Sequence, residues 1–373
     1  MGLMIYLDAN ATAPMKPAVR AAMFEAMERH GNPSSVHRYG RIARRYAEDA
    51  RASVATLSGG KPAQVIFTSG GTEANNLILS QYASVITSSI EHDSVLAFSS
   101  PDNRLPVTPQ GAVDLQEADL VLKRAPAQTL VSVMMVNNET GVIQPLSEVV
   151  ALAKRYGHWV HVDAVQAAGR LPIDFASLGI DALTMSAHKM GGPQGIGALI
   201  VRDGLPLKPF IKGGGQERNR RAGTENMPGI VGFGVAAQLA VDDLRDMPRL
   251  TALRDRLQAR LSILGGEDVE VVGSASPRVA NTLSMIMRGV HSETQVASMD
   301  LAGVAVSAGS ACSSGKVKAS HVLQAMGYDA ESAGSALRVS LSWQSQEQDI
   351  DRCIEAWHSL YQRTRALRKT QAA

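Results

Sequence analysis

Ala182-Leu183-Thr184-Met185-Ser186-Ala187-His188-Lys189-Met190-Gly191-Gly192-Pro193-Gln194-Gly195-Ile196-Gly197-Ala198-Leu199-Ile200-Val201 is the stretch on which the reading of this chain turns. The apolar run Ala182–Met185 reads as a strand, the glycine-rich segment after Lys189 as a turn, and Ala198–Val201 as a second strand that returns. A lysine is thereby held on a tight turn beside a serine and a histidine. That suits an amine forming a Schiff base with a carbonyl cofactor. A surface lysine beside a hairpin accounts for the same residues equally well, so the flanking sequence has to decide.

Upstream, strand and helix patterns alternate. Gln64–Thr68 is a compact strand that breaks into Ser69-Gly70-Gly71-Thr72, and a helix is expected from Glu73 to Tyr82. A strand, a small-residue turn and a helix N-terminus make a phosphate site, because unpaired backbone N–H groups and the helix dipole both favour an anion. The turn is neither a Walker loop nor a dinucleotide fingerprint, and an ordinary helix cap at Thr72 is the plain alternative. Val85–Ser88 is expected as a strand ending near Glu91-His92. Thr129–Val136 reads as a strand buried on both faces, stopping at Asn137-Asn138-Glu139-Thr140-Gly141. His158–Val162 is the next strand and leads into Asp163-Ala164-Val165-Gln166. The alternation predicts a doubly wound α/β sheet, in which ligands sit beyond the carboxyl ends of the strands. Here five such ends carry phosphate-binding, acid, imidazole and lysine functions.

At the start of the chain, Tyr6-Leu7-Asp8 reads as a strand entering a polar turn in which Asn10 is a site candidate. Pro17 opens a helix to about Arg29, His37 is read as turn chemistry, and Arg41–Leu57 is helical. Downstream, Gly213-Gly214-Gly215 leads to Arg220-Arg221-Ala222-Gly223-Thr224, and Met247-Pro248 breaks a long helix and marks a domain boundary. The remainder alternates short strands with helices, as a smaller α/β domain would. Arg338 lies inside the apolar run Ala336–Leu341, either as a snorkelling surface arginine or as a clamp for a carboxylate. Cys353 sits in an amphipathic helix and reads as packed. Cys312, among the small and polar residues of Ser307–Lys316, reads as an accessible nucleophilic thiol.

The bulk numbers bound the function. With 373 residues, 45% hydrophobic and 19% charged, the chain fits a globular protein of two domains. A net charge of +2 without a basic run argues against nucleic acid or a membrane surface as a partner. Two cysteines without CxxC spacing form neither a metal site nor a disulfide framework, and they fit a reducing cytoplasm. The immediate strand leaves no room for a signal peptide and no apolar run is long enough to span a bilayer, so a cytoplasmic location is expected.

Taken in order, Tyr6-Leu7-Asp8, Asn32 to His37, Thr68 to Asn76, Glu91-His92, Asn137-Asn138-Glu139, His161 to Gln166, Ser186 to Lys189, Gly213 to Thr224 and Gly309 to Cys312 carry a resemblance that runs nearly end to end. The chain resembles the cysteine desulfurases of the fold-type I, class V aminotransferase superfamily, in the nitrogenase-associated and iron–sulfur-assembly branch. The resemblance implies pyridoxal 5′-phosphate as cofactor, L-cysteine as substrate, a homodimer, and a sulfur-acceptor protein such as an iron–sulfur scaffold. It implies a large, mostly parallel sheet domain over 14–246. A smaller α/β domain, from 1–13 and 247–373, would carry the Cys312 loop.

For the site, the resemblance implies that Lys189 bonds the cofactor, Asp163 pairs with its ring nitrogen, His92 stacks on the ring and moves protons, and Gln166 holds the ring hydroxyl. Gly71, Thr72, Ser186 and His188 would hold the phosphate, and Thr224 would reach the cofactor of the other subunit. Asn138, beside the cofactor, and Arg338 would bind the substrate carboxylate, and Cys312 would be the nucleophile that takes the sulfur as a persulfide. No metal is implied. Met190-Gly191-Gly192, Gln194 and Ala222 depart from the family pattern without removing a catalytic function. A selenocysteine lyase or another class V aminotransferase is the nearest alternative. A non-catalytic scaffold of the same fold is a further one, and it would need none of Lys189, Asp163, His92, Arg338 and Cys312.

Overall fold

The computed structural model describes residues 4–309 and 319–372. Strand β1 (Ile5–Tyr6) opens the chain. Strands β2 (Val65–Thr68), β3 (Val85–Ser88), β4 (Arg104–Leu105), β5 (Leu130–Met134), β6 (Trp159–Asp163), β7 (Ala182–Ser186) and β8 (Gly197–Val201) form one sheet in the order β2-β8-β7-β6-β5-β3-β4. The pairings from β7 through to β4 are parallel, and β8 alone runs against its neighbours β2 and β7. Every residue of β2, β3, β5, β7 and β8 is buried, as a sheet covered on both faces requires.

The hairpin read from the sequence is present, with Ser186 opposite Gly197. A side chain on Gly197 would lie 2.6 Å from the carbonyl carbon of Gly70. Glycine there lets β8 lie directly against the turn that follows β2, and so brings the phosphate-type turn beside the lysine turn.

Five more strands follow: β9 (Val269–Val271), β10 (Thr282–Met287), β11 (Val304–Ala305), β12 (Ser307–Ala308) and β13 (Ala336–Ser340). Four of them make an antiparallel sheet, β12-β13-β10-β9, and β11 pairs in parallel with β1. A bridge from Asp8 to Ser340 extends that attachment. Leu7 is fully buried in one apolar core with Leu257, Met285, Val339 and Trp357. Residues 5–8 are thus tied to the last third of the chain, and the polar turn after them is laid across the end of the large sheet. The larger core fills the space around β2 and β5 to β8.

Two helices show how small residues set the packing. Arg38–Ser58 lies against Met227–Asp243 closely enough that a side chain on Gly234 would lie 2.6 Å from the Cα of Ala50. His37 caps the first of these helices, accepting from the Gly40 amide at 3.3 Å, which is the turn role expected of it. The break at Met247-Pro248 is a change of helix: Leu244–Asp246 is a 3-10 turn, and Pro248 stands in the first turn of Met247–Gly265, where its missing N–H costs nothing. Cys353 is buried as expected, and burial pushes its thiol up to about 12, which makes it inert. No helix among the described residues is long and apolar enough to cross a membrane.

Candidate active site

The carboxyl ends of β2, β3, β5, β6 and β7 converge on a cavity of about 300 Å3. Gly71, Thr72, His92, Asn138, Asp163, Gln166, Ser186, His188, Lys189 and Arg338 all line it, together with Asn10. Thr224 does not. It borders a separate crevice of about 250 Å3 with Thr68, Ser69, Gly195 and Arg221. Cys312 lies outside the described residues.

One end of the cavity is built for an anion. The helix Gly71–Leu79 begins two residues earlier than its composition predicts, because extended Gly70, not Thr72, is the N-cap. Gly70 has no side chain to cap the first amides, and Gly71 and Thr72 line the cavity, so this helix start offers it unpaired donors. Glu73 is turned away: its Oε2 accepts from the Ser69 amide at 2.7 Å, and its Oε1 takes the Arg221 Nε at 2.8 Å. A side chain on Gly71 would press on Val165 at 3.0 Å. His188 sits beside Thr12, Nδ1 to Oγ1 at 3.1 Å. Burial, and then the Lys189 charge, push its imidazole down to about 4, so it is neutral at neutral pH.

The opposite end is acidic. Asp163 accepts from the Val165 amide through Oδ1 and from Asn75 Nδ2 through Oδ2, both at 2.9 Å. Among the described residues no cation pairs with this buried carboxylate. The Asn75 amide also donates to Ser94 Oγ at 3.0 Å, and Ser94 bonds His92 Nδ1 through both Oγ (2.9 Å) and its backbone N–H (3.1 Å). With both donors aimed at Nδ1, the neutral His92 ring carries its proton on Nε2. Sequence reasoning missed Asn75 and Ser94. Their only signals were a polar residue on the inward face of an apolar helix and a serine two positions after the histidine.

Behind the acid lie two buried titratable groups. His161 is held between the Ser132 and Thr184 hydroxyls at 2.8 and 2.9 Å, and burial pushes it down to about 3. Glu91 accepts from the Met134 amide at 2.7 Å through Oε1, while its Oε2 has no partner among the described residues. Burial, with the Asp163 charge adding to it, pushes its carboxyl up to about 8, so it holds a proton at neutral pH. A carboxyl raised in the fold above its usual 4.5 contributes fully below about pH 4.5, and the contribution is lost as pH rises towards 8. Glu91→Gln, which mimics the protonated form, should therefore gain on the wild type by roughly tenfold in folding equilibrium per pH unit across that window. Denaturant unfolding of both proteins from pH 5 to pH 8 measures this; a pH-independent difference would mean that Glu91 is ionised throughout.

Arg338 is buried at 2% exposure, so it does not snorkel. β13 is an inner strand of the small sheet, paired on both edges, and its Arg338 lines the cavity. Its Nη2 donates to Asp8 Oδ1 at 2.8 Å and its Nη1 to the Asn138 carbonyl at 3.1 Å, while its Nε is buried without a partner among the described residues. Asn10, the open candidate, braces the same carbonyl through Nδ2 at 3.0 Å and receives Asn281 on its Oδ1 at 3.1 Å. Its own carbonyl accepts from Lys189 Nζ at 2.6 Å and from Gln166 Nε2 at 3.1 Å. Lys189 Nζ also donates to the Ala11 carbonyl at 2.8 Å.

Residues 5–353 match the profile of the class-V aminotransferases. The chain belongs to the class-V aminotransferase family. Among its relatives, cysteine desulfurase IscS of Dictyoglomus turgidum is 38% identical over 384 aligned residues, which cover 97% of this chain and 96% of that one. A NifS-like protein from Rickettsia africae has the same fold at a TM-score of 0.90 and 36% identity, covering 96% of this chain and 99% of the other. A structure of SspA in complex with cysteine matches at a TM-score of 0.76 and 29% identity, over 90% of this chain and 98% of the other.

Class-V aminotransferases use pyridoxal 5′-phosphate on fold type I, and the residues of this cavity fit that group. Each end lacks the charge that the cofactor would bring. The uncapped helix start at Gly71 is a donor cluster for a phosphate, and the unpaired Asp163 carboxylate is a partner for a protonated ring nitrogen. Lys189 is the one primary amine among the described residues lining the cavity.

Proposed function

We infer that this chain is a pyridoxal 5′-phosphate-dependent cysteine desulfurase that converts L-cysteine to L-alanine and passes the sulfur to Cys312 as a persulfide. The observation that carries the reading is the single cavity in which an uncapped helix N-terminus, an unpaired buried acid and a lysine amine face one another in a class-V aminotransferase. When bound, the cofactor supplies the electron sink that makes the bonds at the substrate carbons labile.

The residues would then divide the work. Gly71, Thr72, Ser186 and His188 hold the phosphate, Gln166 the ring hydroxyl, and Asp163 keeps the ring nitrogen protonated. Arg338 grips the substrate carboxylate from the cavity wall, and Asn138 flanks it. Lys189 and the Nε2 proton of His92 carry hydrogen to and from the substrate carbon. The relay from Asp163 through Asn75 and Ser94 fixes the His92 tautomer that this requires.

We further propose that two copies assemble. Thr224 borders a crevice apart from its own chain's cavity, which agrees with its serving a second copy's phosphate. A fully active monomer in sedimentation would remove that role. A protein acceptor for the persulfide, such as a cytoplasmic iron–sulfur scaffold, suits a product sulfur that stays covalently on Cys312.

The test is direct. The purified protein should carry a visible absorption band, and with L-cysteine and a thiol reductant it should yield alanine and sulfide in equal amounts. A colourless protein, or transfer of the amino group to a keto acid without alanine, would overturn the reading.

A further inference from the structure

Arg170 is buried at 8% exposure beneath the cavity, yet among the described residues no carboxylate pairs with it. Its guanidinium instead donates to carbonyl oxygens. Nη1 meets the Gln166 backbone oxygen at 3.0 Å and the Gln166 side-chain Oε1, and Nη2 meets the Lys189 carbonyl at 3.3 Å. One cation therefore clamps the turn after β6 to the turn after β7. Those turns carry the two side chains expected to meet the cofactor's ring hydroxyl and its aldehyde.

A guanidinium has five donors and no acceptor. Only the oxygen of the Gln166 amide can face it, so the Gln166 NH2 must face the other way. It does so, donating to the Asn10 carbonyl at the cavity wall. An amide whose oxygen accepts from a cation is also polarised into a stronger N–H donor. We propose that Arg170 is a positioning residue that locks Gln166 as a donor toward an anionic oxygen on the bound cofactor and adds an uncompensated positive charge behind that oxygen and the Lys189 amine. This inference rests on the pyridoxal-phosphate reading above and goes beyond it, since Arg170 does not itself line the cavity.

The surrounding charges leave this field in place. Asp163, His92, His188, Lys189 and Arg338 face the cavity above. Asp243 and Asp246 border a small crevice that Arg170 also lines, and Asp243 is already taken by Lys16 at 2.5 Å. Burial, and then the Arg338 charge, push the Arg170 guanidinium down to about 10, still cationic at neutral pH.

Two variants and two readouts test the proposal on the full chain, with pyridoxal 5′-phosphate as the probe. Arg170→Lys keeps the charge but loses the fork that spans Gln166 and Lys189. Its apo form should bind the cofactor about tenfold more weakly, while the pH midpoint of the visible band stays near wild type. Arg170→Met should bind as weakly and also raise that midpoint by about one pH unit, since a nearby positive charge favours loss of a proton from the lysine-linked group. A merely structural arginine would not move the midpoint.

Wild-type affinity and midpoint in both variants would overturn the proposal. If Arg170→Met does not fold, the affinity of Arg170→Lys decides alone, and an unchanged value overturns it. A wild type that takes up no cofactor and shows no visible band defeats the functional reading instead, so the two failures are distinguishable.

Discussion

Lys189→Ala is expected to lose the visible absorption band and to lower turnover of L-cysteine by roughly 10³-fold or more. Two separate losses combine. The cavity loses the only primary amine among the described residues that line it, and with it the nitrogen that can bond an aldehyde. On the proposed function it also loses a base beside the substrate carbon, for which positioned acid–base groups contribute roughly 10²–10⁴-fold. The fold should survive. Nζ donates to the Asn10 and Ala11 backbone carbonyls, and the clamp on this turn is made through the Lys189 backbone oxygen. Lys189→Arg separates charge from chemistry. It keeps the cation, yet a guanidinium stays protonated and cannot act as an amine, so it should be as inactive as alanine. Spectra and alanine release on the two variants measure this; near wild-type turnover in Lys189→Ala would remove the lysine from the mechanism.

What could be read from the chain beforehand has a physical logic. Apolar runs that stop abruptly at polar residues mark strand ends, and in a parallel sheet all those ends lie on one side. Asp163, His92 and Lys189 were legible for that reason, each standing where a buried run meets a turn. Asn75 and Ser94 were not. Asn75 sits on an unremarkable helix 88 residues before Asp163, and only the docking of that helix over β7 and β8 brings its amide to the acid. Arg338 was legible as a charge in an apolar strand, but its partner Asp8 lies 330 residues away, joined by the attachment of the first strand to the last sheet. The helix start at Gly71 was misjudged by two residues because composition marks Thr72 as a cap, whereas the close approach of Gly197 to Gly70 assigns that role to a glycine with no side chain to cap anything. Arg170 gave no signal at all, since an arginine after Gly169 is ordinary until its burial without an acid is seen.

Cys312→Ser is expected to lower sulfide and alanine release by roughly 10³-fold or more while leaving the visible band and cysteine binding intact. The separation follows from where the groups stand. Lys189, Asp163, Gln166 and Arg338 line the cavity and remain unchanged in this variant. On the proposed route the lost step is a sulfur transfer: the Cys312 thiolate would bond the substrate sulfur, the substrate carbon–sulfur bond would break with its electron pair left on carbon, and a proton would complete alanine. A serine hydroxyl is not ionised near neutral pH and cannot form the persulfide, whereas a thiolate with its pKa near or below ambient pH can. Cys353, the only other thiol in the chain, cannot substitute. It is 1% exposed in the core around Trp357, and burial holds its thiol near 12. Sulfur-labelled L-cysteine should therefore leave label on the wild type and on Cys353→Ala but not on Cys312→Ser. Label retained on Cys312→Ser, or full turnover by it, would mean that the sulfur leaves by another route.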